Sequence, residues 1–158
     1  MKKLISLFVV FAAFLGAAFG KTVYVNANYS ANGDGTSWSS PYTNLQDAVT
    51  NAVAGDLVLV TNGVYSPITT GNKAITIQSV EGSAVTSIDG GGTTRCATLG
   101  TGVVLKGFTV SNGYTTGSGG GVMYGSVYDS IVENNVSANS GGGIYNANLV
   151  SNCVIRYN

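Results

Sequence analysis

Leu105-x-x-Phe108-x-Val110-x-x-Gly113 is followed by Val127-x-x-Ser130-x-Val132-x-x-Asn135, and that by Val150-x-x-Cys153-x-Ile155-x-x-Asn158. The second stretch lies 22 positions after the first and the third 23 after the second, and every matched residue keeps its offset. A second mark travels with the first: Gly119-Gly120-Gly121-Val122 returns 22 positions later as Gly141-Gly142-Gly143-Ile144. A period in the low twenties, with short alternating strands and glycine corners, is the signature of a solenoid. One turn cannot bury its apolar face alone, so turns must stack. No helical pattern intervenes between the strands, which excludes βαβ units. Three short strands per turn of 22 or 23 residues describe a parallel β-helix, an all-β fold.

Stacking converts the repeat into columns. Phe108, Ser130 and Cys153 form one inward column, and Val110, Val132 and Ile155 another. Gly113, Asn135 and Asn158 fall at a corner, where Gly and Asn tolerate the left-handed conformation. Outside the clearest repeats, strands are expected at Thr22–Asn26, Asp56–Val60, Val64-Tyr65, Ala74–Gln78, Val85–Ile88, Cys96–Leu99 and Val103–Val110. Further strands are expected at Val122–Tyr124, Ser130–Glu133, Ile144-Tyr145 and Asn152–Ile155.

One helix stands apart. Leu45, Ala48, Val49, Ala52 and Val53 are spaced as one face of an α-helix. Thr43-Asn44-Leu45-Gln46 fits a capping box, and Gly55 is placed to end the helix in a left-handed turn. An open solenoid end exposes strand edges and raw core. Residues 44–54 are therefore read as a cap laid across that end, with Trp38 and Tyr42 packing beneath the preceding loop. The domain reading is a leader at 1–20 and a β-helix domain at 21–158, with a cap at about 21–55 and rungs at 56–158. The pattern stops at Asn158 without a second cap, so the expectation is a domain truncated at its C-terminus, with self-association through the open end possible.

Of the 158 residues only 9% are charged, against about 25% in an average soluble domain. Lys2 and Lys3, the apolar run Leu4–Phe19 and small residues at Ala18 and Gly20 have the form of a secretory signal peptide cleaved before Lys21. The apolar run is too short to span a bilayer, where about 20 residues are needed. No other segment could cross a membrane. The mature chain then holds 7 acids against 5 bases, with no basic cluster, so nucleic acid has no electrostatic footprint. Export permits a Cys96–Cys153 disulfide. The inward register of Cys153 favours two unpaired, buried thiols instead; both readings stay open.

Histidine is absent, which removes Ser-His-Asp and Cys-His catalysis. The acids are Asp34, Asp47, Asp56, Glu81, Asp89, Asp129 and Glu133. A glycosidase needs two carboxylates roughly 5–9 Å apart. Asp129 and Glu133, four residues apart on one strand region, would be separated by about 13 Å. Glu133 and Arg156 should sit one rung apart, and an exposed ion pair is the simplest account of them. The glycine triplets lack a following helix and so read as corners, not phosphate loops. Asp34 in its glycine-rich loop lacks the nonapeptide repeat of calcium-binding β-rolls. Tyr124, Tyr128, Tyr145 and Tyr157 could stack on sugars or serve as ordinary strand residues. Asn28-Tyr29-Ser30 and Asn135-Val136-Ser137 match glycosylation acceptors, a coincidence expected in a chain this rich in Asn and Ser.

The stretch Gly33 to Tyr42, then Leu45-Gln46-Asp47-Ala48, Ala54-Gly55-Asp56 and Gly63-Val64-Tyr65, resembles the N-terminal cap of secreted right-handed parallel β-helix proteins of the pectate-lyase-like superfamily. The glycine triplets with Val/Ile-x-x-Asn are similar to polymorphic outer membrane protein repeats. Those carry Gly-Gly-Ala-aliphatic and Phe-x-x-Asn, whereas this chain has Gly121 and Gly143 for Ala, and Val132 and Ile155 for Phe. The resemblance covers 22–158 and implies the fold more than the activity. Lyases of this superfamily hold Ca²⁺ on acids from neighbouring rungs and use an Arg or Lys base. Here the Asp129 column carries Gly107 and Asn152, and the Glu133 column Ser111 and Arg156. One acid per column falls short of the six to eight oxygens that Ca²⁺ takes. The hydrolases of the superfamily use a His-containing motif that this chain lacks.

The expectation is an exported, non-catalytic surface or extracellular protein with no catalytic, cofactor or metal residues, whose stacked flank serves adhesion or glycan binding. The alternative is a polysaccharide lyase, Ca²⁺-dependent, with its active-site rungs beyond Asn158.

Overall fold

The computed structural model describes residues 20–158; the leader read at 1–20, apart from Gly20, lies outside the described residues. The chain coils as a right-handed parallel β-helix of about four turns. It opens with β1 (Thr22–Val25), and α1 (Leu45–Asn51) follows after a long loop. The first rung is β2 (Leu57–Val60), β3 (Gly63–Tyr65) and β4 (Ile68–Thr69); the second is β5 (Thr76–Ser79), β6 (Thr86–Asp89) and β7 (Ala97–Thr98). The third is β8 (Val104–Lys106), β9 (Thr109–Ser111), β10 (Tyr114–Thr115) and β11 (Val122–Met123). The fourth is β12 (Ser126–Tyr128), β13 (Ile131–Glu133), β14 (Val136–Ser137) and β15 (Ile144–Tyr145), after which β16 (Leu149–Ser151) and β17 (Val154–Arg156) begin a fifth.

Every pairing is parallel. The sheets run β1-β2-β5-β8-β12-β16, then β3-β6-β9-β13-β17, then β4-β7-β11-β15, with β10-β14 as a separate pair. The predicted columns stand in register: Leu105 opposite Val127 opposite Val150, and Val110 opposite Val132 opposite Ile155. Alternation puts Val58, Val60, Ile77, Ile88, Leu105, Val110, Val127 and Val132 in a continuous buried core. Phe108 and Ser130 are buried in the same column, and Cys153 packs against the core.

The structure departs from the three-strand expectation in the third and fourth rungs, which carry four. The extra strands, β10 and β14, have only two residues each, too few for alternation to show. Val103–Val110 is likewise two strands, because Gly107 turns with φ +79 between β8 and β9. The corner beside Gly113, Asn135 and Asn158 also differs. Positive φ falls one residue earlier, at Asn112, Asn134 and Tyr157. Asn135 itself is fully buried, and its amide does other work, described below.

The cap forms as an amphipathic helix should. Leu45, Ala48, Val49 and Ala52 are buried against the end of the solenoid, while Val53 lies past the helix end and is exposed. The N-cap is Asn44, whose side chain accepts from the Gln46 N–H. Thr43 is not the cap, because its backbone N–H and hydroxyl both bond Asn32 Oδ1. Gln46 does not reach back along the helix but clasps β4, accepting from Thr69 N–H and donating to Thr69 C=O. At the other end Lys73 Nζ donates to the carbonyls of Val49 and Thr50, satisfying orphan acceptors where the helix dipole favours a cation. Gly55 has φ +93, but it sits in the turn after the C-cap Ala52, not at the cap itself. Tyr42 packs on the core, and Trp38 lies edge-on to Tyr24 with ring centroids 4.7 Å apart.

Candidate functional site

The sequence drew attention first to Asp129, Glu133 and Arg156, and each proves to be engaged. Glu133 stands opposite Arg156 in the β13–β17 register and pairs with it at 2.6 Å. That hydrogen bond, with the carboxylate charge, raises the Arg156 pKa above its ordinary value. Asp129 turns the corner before β13 with φ +50. It accepts from Asn152 Nδ2 at 2.7 Å and meets Lys106 Nζ at 3.5 Å. The two acids thus sit at opposite ends of β13, each with its own partners. Asp34 accepts from the Thr36 N–H and hydroxyl in the cap loop, which lowers its pKa. No three of His, Cys, Asp and Glu converge among the described residues.

The glycine triplets are corners. Gly119 and Gly141 supply positive φ, at +76 and +64. A Cβ on Gly120 would strike the Val136 carbonyl and one on Gly121 the Gly143 carbonyl, so the second and third glycines admit close approach of stacked backbones. Asn135 is not available for glycosylation. Its Oδ1 accepts from Gly113 N–H, and its Nδ2 donates to the carbonyls of Val110 and Glu133 and to Asn158 Oδ1. Of the four tyrosines, Tyr145 and Tyr157 are exposed, Tyr157 beneath the Arg156 guanidinium at 5.6 Å. Both cysteines are free: Cys96 is buried and Cys153 only partly so. Burial pushes the Cys96 thiol up to about 12.

A concavity of about 480 Å³ lies elsewhere, on the flank of the β4–β7 stack. Alternation builds its floor: Ile68 opposite Ala97 points inward, and Thr69 opposite Thr98 points outward. The loop before β7 builds one wall. Gly91 and Gly92 take positive φ. Thr93 and Thr94 then donate their N–H groups to the Gly90 carbonyl, and Tyr114 N–H donates to the Thr94 carbonyl. That last bond fastens the loop alongside β10, so Thr93 and Thr94 line the groove together with Tyr114, Thr115 and Thr116.

Arg95 also lines the groove and is held rigidly. Its Nε donates to the Gly119 carbonyl at 2.7 Å, Nη2 to the Ser118 carbonyl at 2.9 Å and Nη1 to Thr98 Oγ1 at 3.0 Å. Thr98 and Thr115 hydroxyls each accept one bond, from Arg95 and from Gly117 N–H, and so keep their own O–H to donate. Six threonines, one half-exposed tyrosine and one guanidinium make a rigid surface rich in directed hydrogen-bond donors. Such a surface can hold a polyhydroxylated ligand, with the Tyr114 ring as an apolar contact.

Sequence reasoning missed this groove. Thr93-Thr94-Arg95 lies in a segment without repeat, and β10 is only two residues long. The available signal was the density of Thr at 93–94, 98 and 115–116, which gains meaning only once the rungs are stacked. A second concavity of similar size lies over β6, β9 and β13. Its acid Glu133 is spent on Arg156 and its Thr109 hydroxyl on the Ser83 carbonyl.

Compared with protein-family models, with curated proteins and with solved structures, the chain matches none.

Proposed function

We infer that the chain is an exported β-helix scaffold of the pectate-lyase-like kind, which binds glycans on its flank at a cell surface or outside the cell and does not cleave them. The observation that carries this reading is the groove between Thr69 and Thr116, with its six threonines and Tyr114. A β-helix flank suits a polymer, since successive rungs present side chains at a fixed spacing of about 4.8 Å. The groove volume falls within the roughly 300–1,000 Å³ of small-ligand clefts, enough for a short run of sugar units. The absence of cleavage is supported by Asp129 and Glu133. Lys106, Asn152 and Arg156 hold those carboxylates in place, whereas an acid–base pair needs groups free to exchange protons with a bound sugar. Export is supported by the sequence pattern at 1–20 alone.

The test is to express the full chain, recover the protein and run it in native gels containing soluble polysaccharides, with product release assayed in parallel. Retarded migration without new reducing ends or unsaturated products is the expected result. Cleavage of any polymer would transfer the protein to the lyase alternative, and unretarded migration in every polymer would remove the glycan reading. N-terminal sequencing of the exported product should begin at Lys21.

A further inference from the structure

The groove that carries the glycan reading also contains a charge, and the surroundings of that charge narrow the ligand. We propose that the groove selects glycans bearing an anionic substituent, a carboxylate or a sulfate, through the Arg95 guanidinium; the inference rests on the glycan reading.

The five bases of residues 21–158 are Lys21, Lys73, Arg95, Lys106 and Arg156. Lys106 and Arg156 pair with Asp129 and Glu133, and Lys73 closes the carbonyl end of α1. Arg95 meets no carboxylate within ion-pair distance among the described residues. All three of its hydrogen-bond partners are neutral: two carbonyls and a hydroxyl. A guanidinium carries five N–H donors, so two remain for a ligand. The part-buried setting screens its charge less than open solvent would.

The rest of the lining points the same way. None of the ten residues around the groove is acidic. Thr98 and Thr115 have accepted bonds and retain O–H donors. The hydroxyls of Thr69, Thr94 and Thr116 have no protein partner among the described residues. Each of these hydroxyls can turn its O–H towards a ligand oxygen, so that an oxyanion held by the two free N–H groups of Arg95 can be donated to from several sides. The guanidinium is already fixed by three bonds, so little rotamer entropy is lost on binding. Outside this groove the mature chain carries more acid than base, so diffuse attraction to polyanions is not expected.

The full chain is to be applied to a printed panel of neutral, uronate-bearing and sulfated glycans of matched length, at low and at high salt. Charged glycans should bind about tenfold or more tighter than neutral ones, as expected when hydrogen bonds to charged groups are gained, and added salt should weaken them. Whether uronates or sulfates lead distinguishes the two sources of charge. Arg95→Gln should abolish the preference, but it also unfastens the 118–119 corner. Thr94→Glu is the cleaner variant, because the Thr94 side chain is exposed and makes no internal bond, and the bonds of Arg95 are left alone. It should weaken binding of charged glycans at least about tenfold more than binding of neutral ones. Equal binding of neutral and charged glycans, or a Thr94→Glu variant indistinguishable from the parent, overturns the charge inference while sparing the glycan reading. No binding to any glycan overturns both.

Discussion

The rungs before and after Val104 build one solenoid in two different ways. From β8 onward the register advances by 22 and then 23 residues, and the inward corner is polar: Gly113, Asn135 and Asn158 bond one another in file. From β2 to β8 the register advances by 19 and then 28 residues in the same sheet. There the interior is filled mainly by Val58, Val60, Tyr65, Ile68, Ile75, Ile77 and Ile88, with the hydroxyls of Thr70, Ser79 and Thr86 as isolated buried polar groups and no repeating ladder. Dispersion and apolar burial are not directional, so an aliphatic stack accepts loops of any length between its strands. An amide ladder must place each carbonyl and N–H within hydrogen-bond range of the rung below. Strict period in the later rungs and loose period in the earlier ones follow from that difference.

The largest expected effect comes from the one large aromatic at the junction of the two regions. Phe108 is fully buried, and Phe108→Ala should cost about 4 kcal/mol in urea unfolding; a loss below about 1 kcal/mol would show that the later rungs do not depend on an apolar core. Next comes a paired substitution that sets ladder against stack. Asn135→Leu keeps approximate volume but orphans the Gly113 N–H and the carbonyls of Val110 and Glu133, and should cost about 3 kcal/mol. Ile77→Leu in the earlier rungs should cost less than about 1.5 kcal/mol. Equal costs would erase the distinction between directional and non-directional interiors.

The cysteines sharpen the comparison chemically. Iodoacetamide at pH 8 should label Cys153 well before Cys96, read by peptide mass spectrometry, because only Cys153 is partly exposed. The Cys96 thiol keeps its proton in the folded protein up to about 12, against an ordinary value of 9.0. Its folded pKa is raised, so the associated stability is present below pH 9.0 and is lost as pH rises from there towards 12. Cys96→Ala should flatten that alkaline decline; an unchanged decline would assign it to other groups. The smallest effect is at Glu133. Its pair with Arg156 is exposed on the arginine side, so Glu133→Gln should change stability by less than about 1 kcal/mol. A larger loss would mean that outward ion pairs, and not only inward amides, fix the register of the later rungs.

How much could be read in advance divides along the same boundary. Leu105, Val127 and Val150 announce their column because the period repeats, and Leu45, Ala48 and Val49 announce the cap because a helix face has its own period. The role of Asn135 was half visible. Its recurrence with Gly113 and Asn158 marked a corner, but Asn serves both left-handed turns and amide ladders, and only the backbone put the positive φ on Asn134. The two-residue strands β10 and β14 were too short to carry alternation.

The solenoid, the inward columns and the helix that closes one end are each written along the chain as a local periodicity that burial then enforces. The tertiary structure alone decided that Thr69, Thr94, Arg95 and Thr116 share one groove. Those residues span three rungs at unequal spacing, and stacking brings together groups that no local pattern relates. It also decided that Asp129 and Glu133 are occupied while Arg95 has only neutral partners. Charge pairing depends on distance across rungs, and distance across rungs is set by the coil, not by position along the chain.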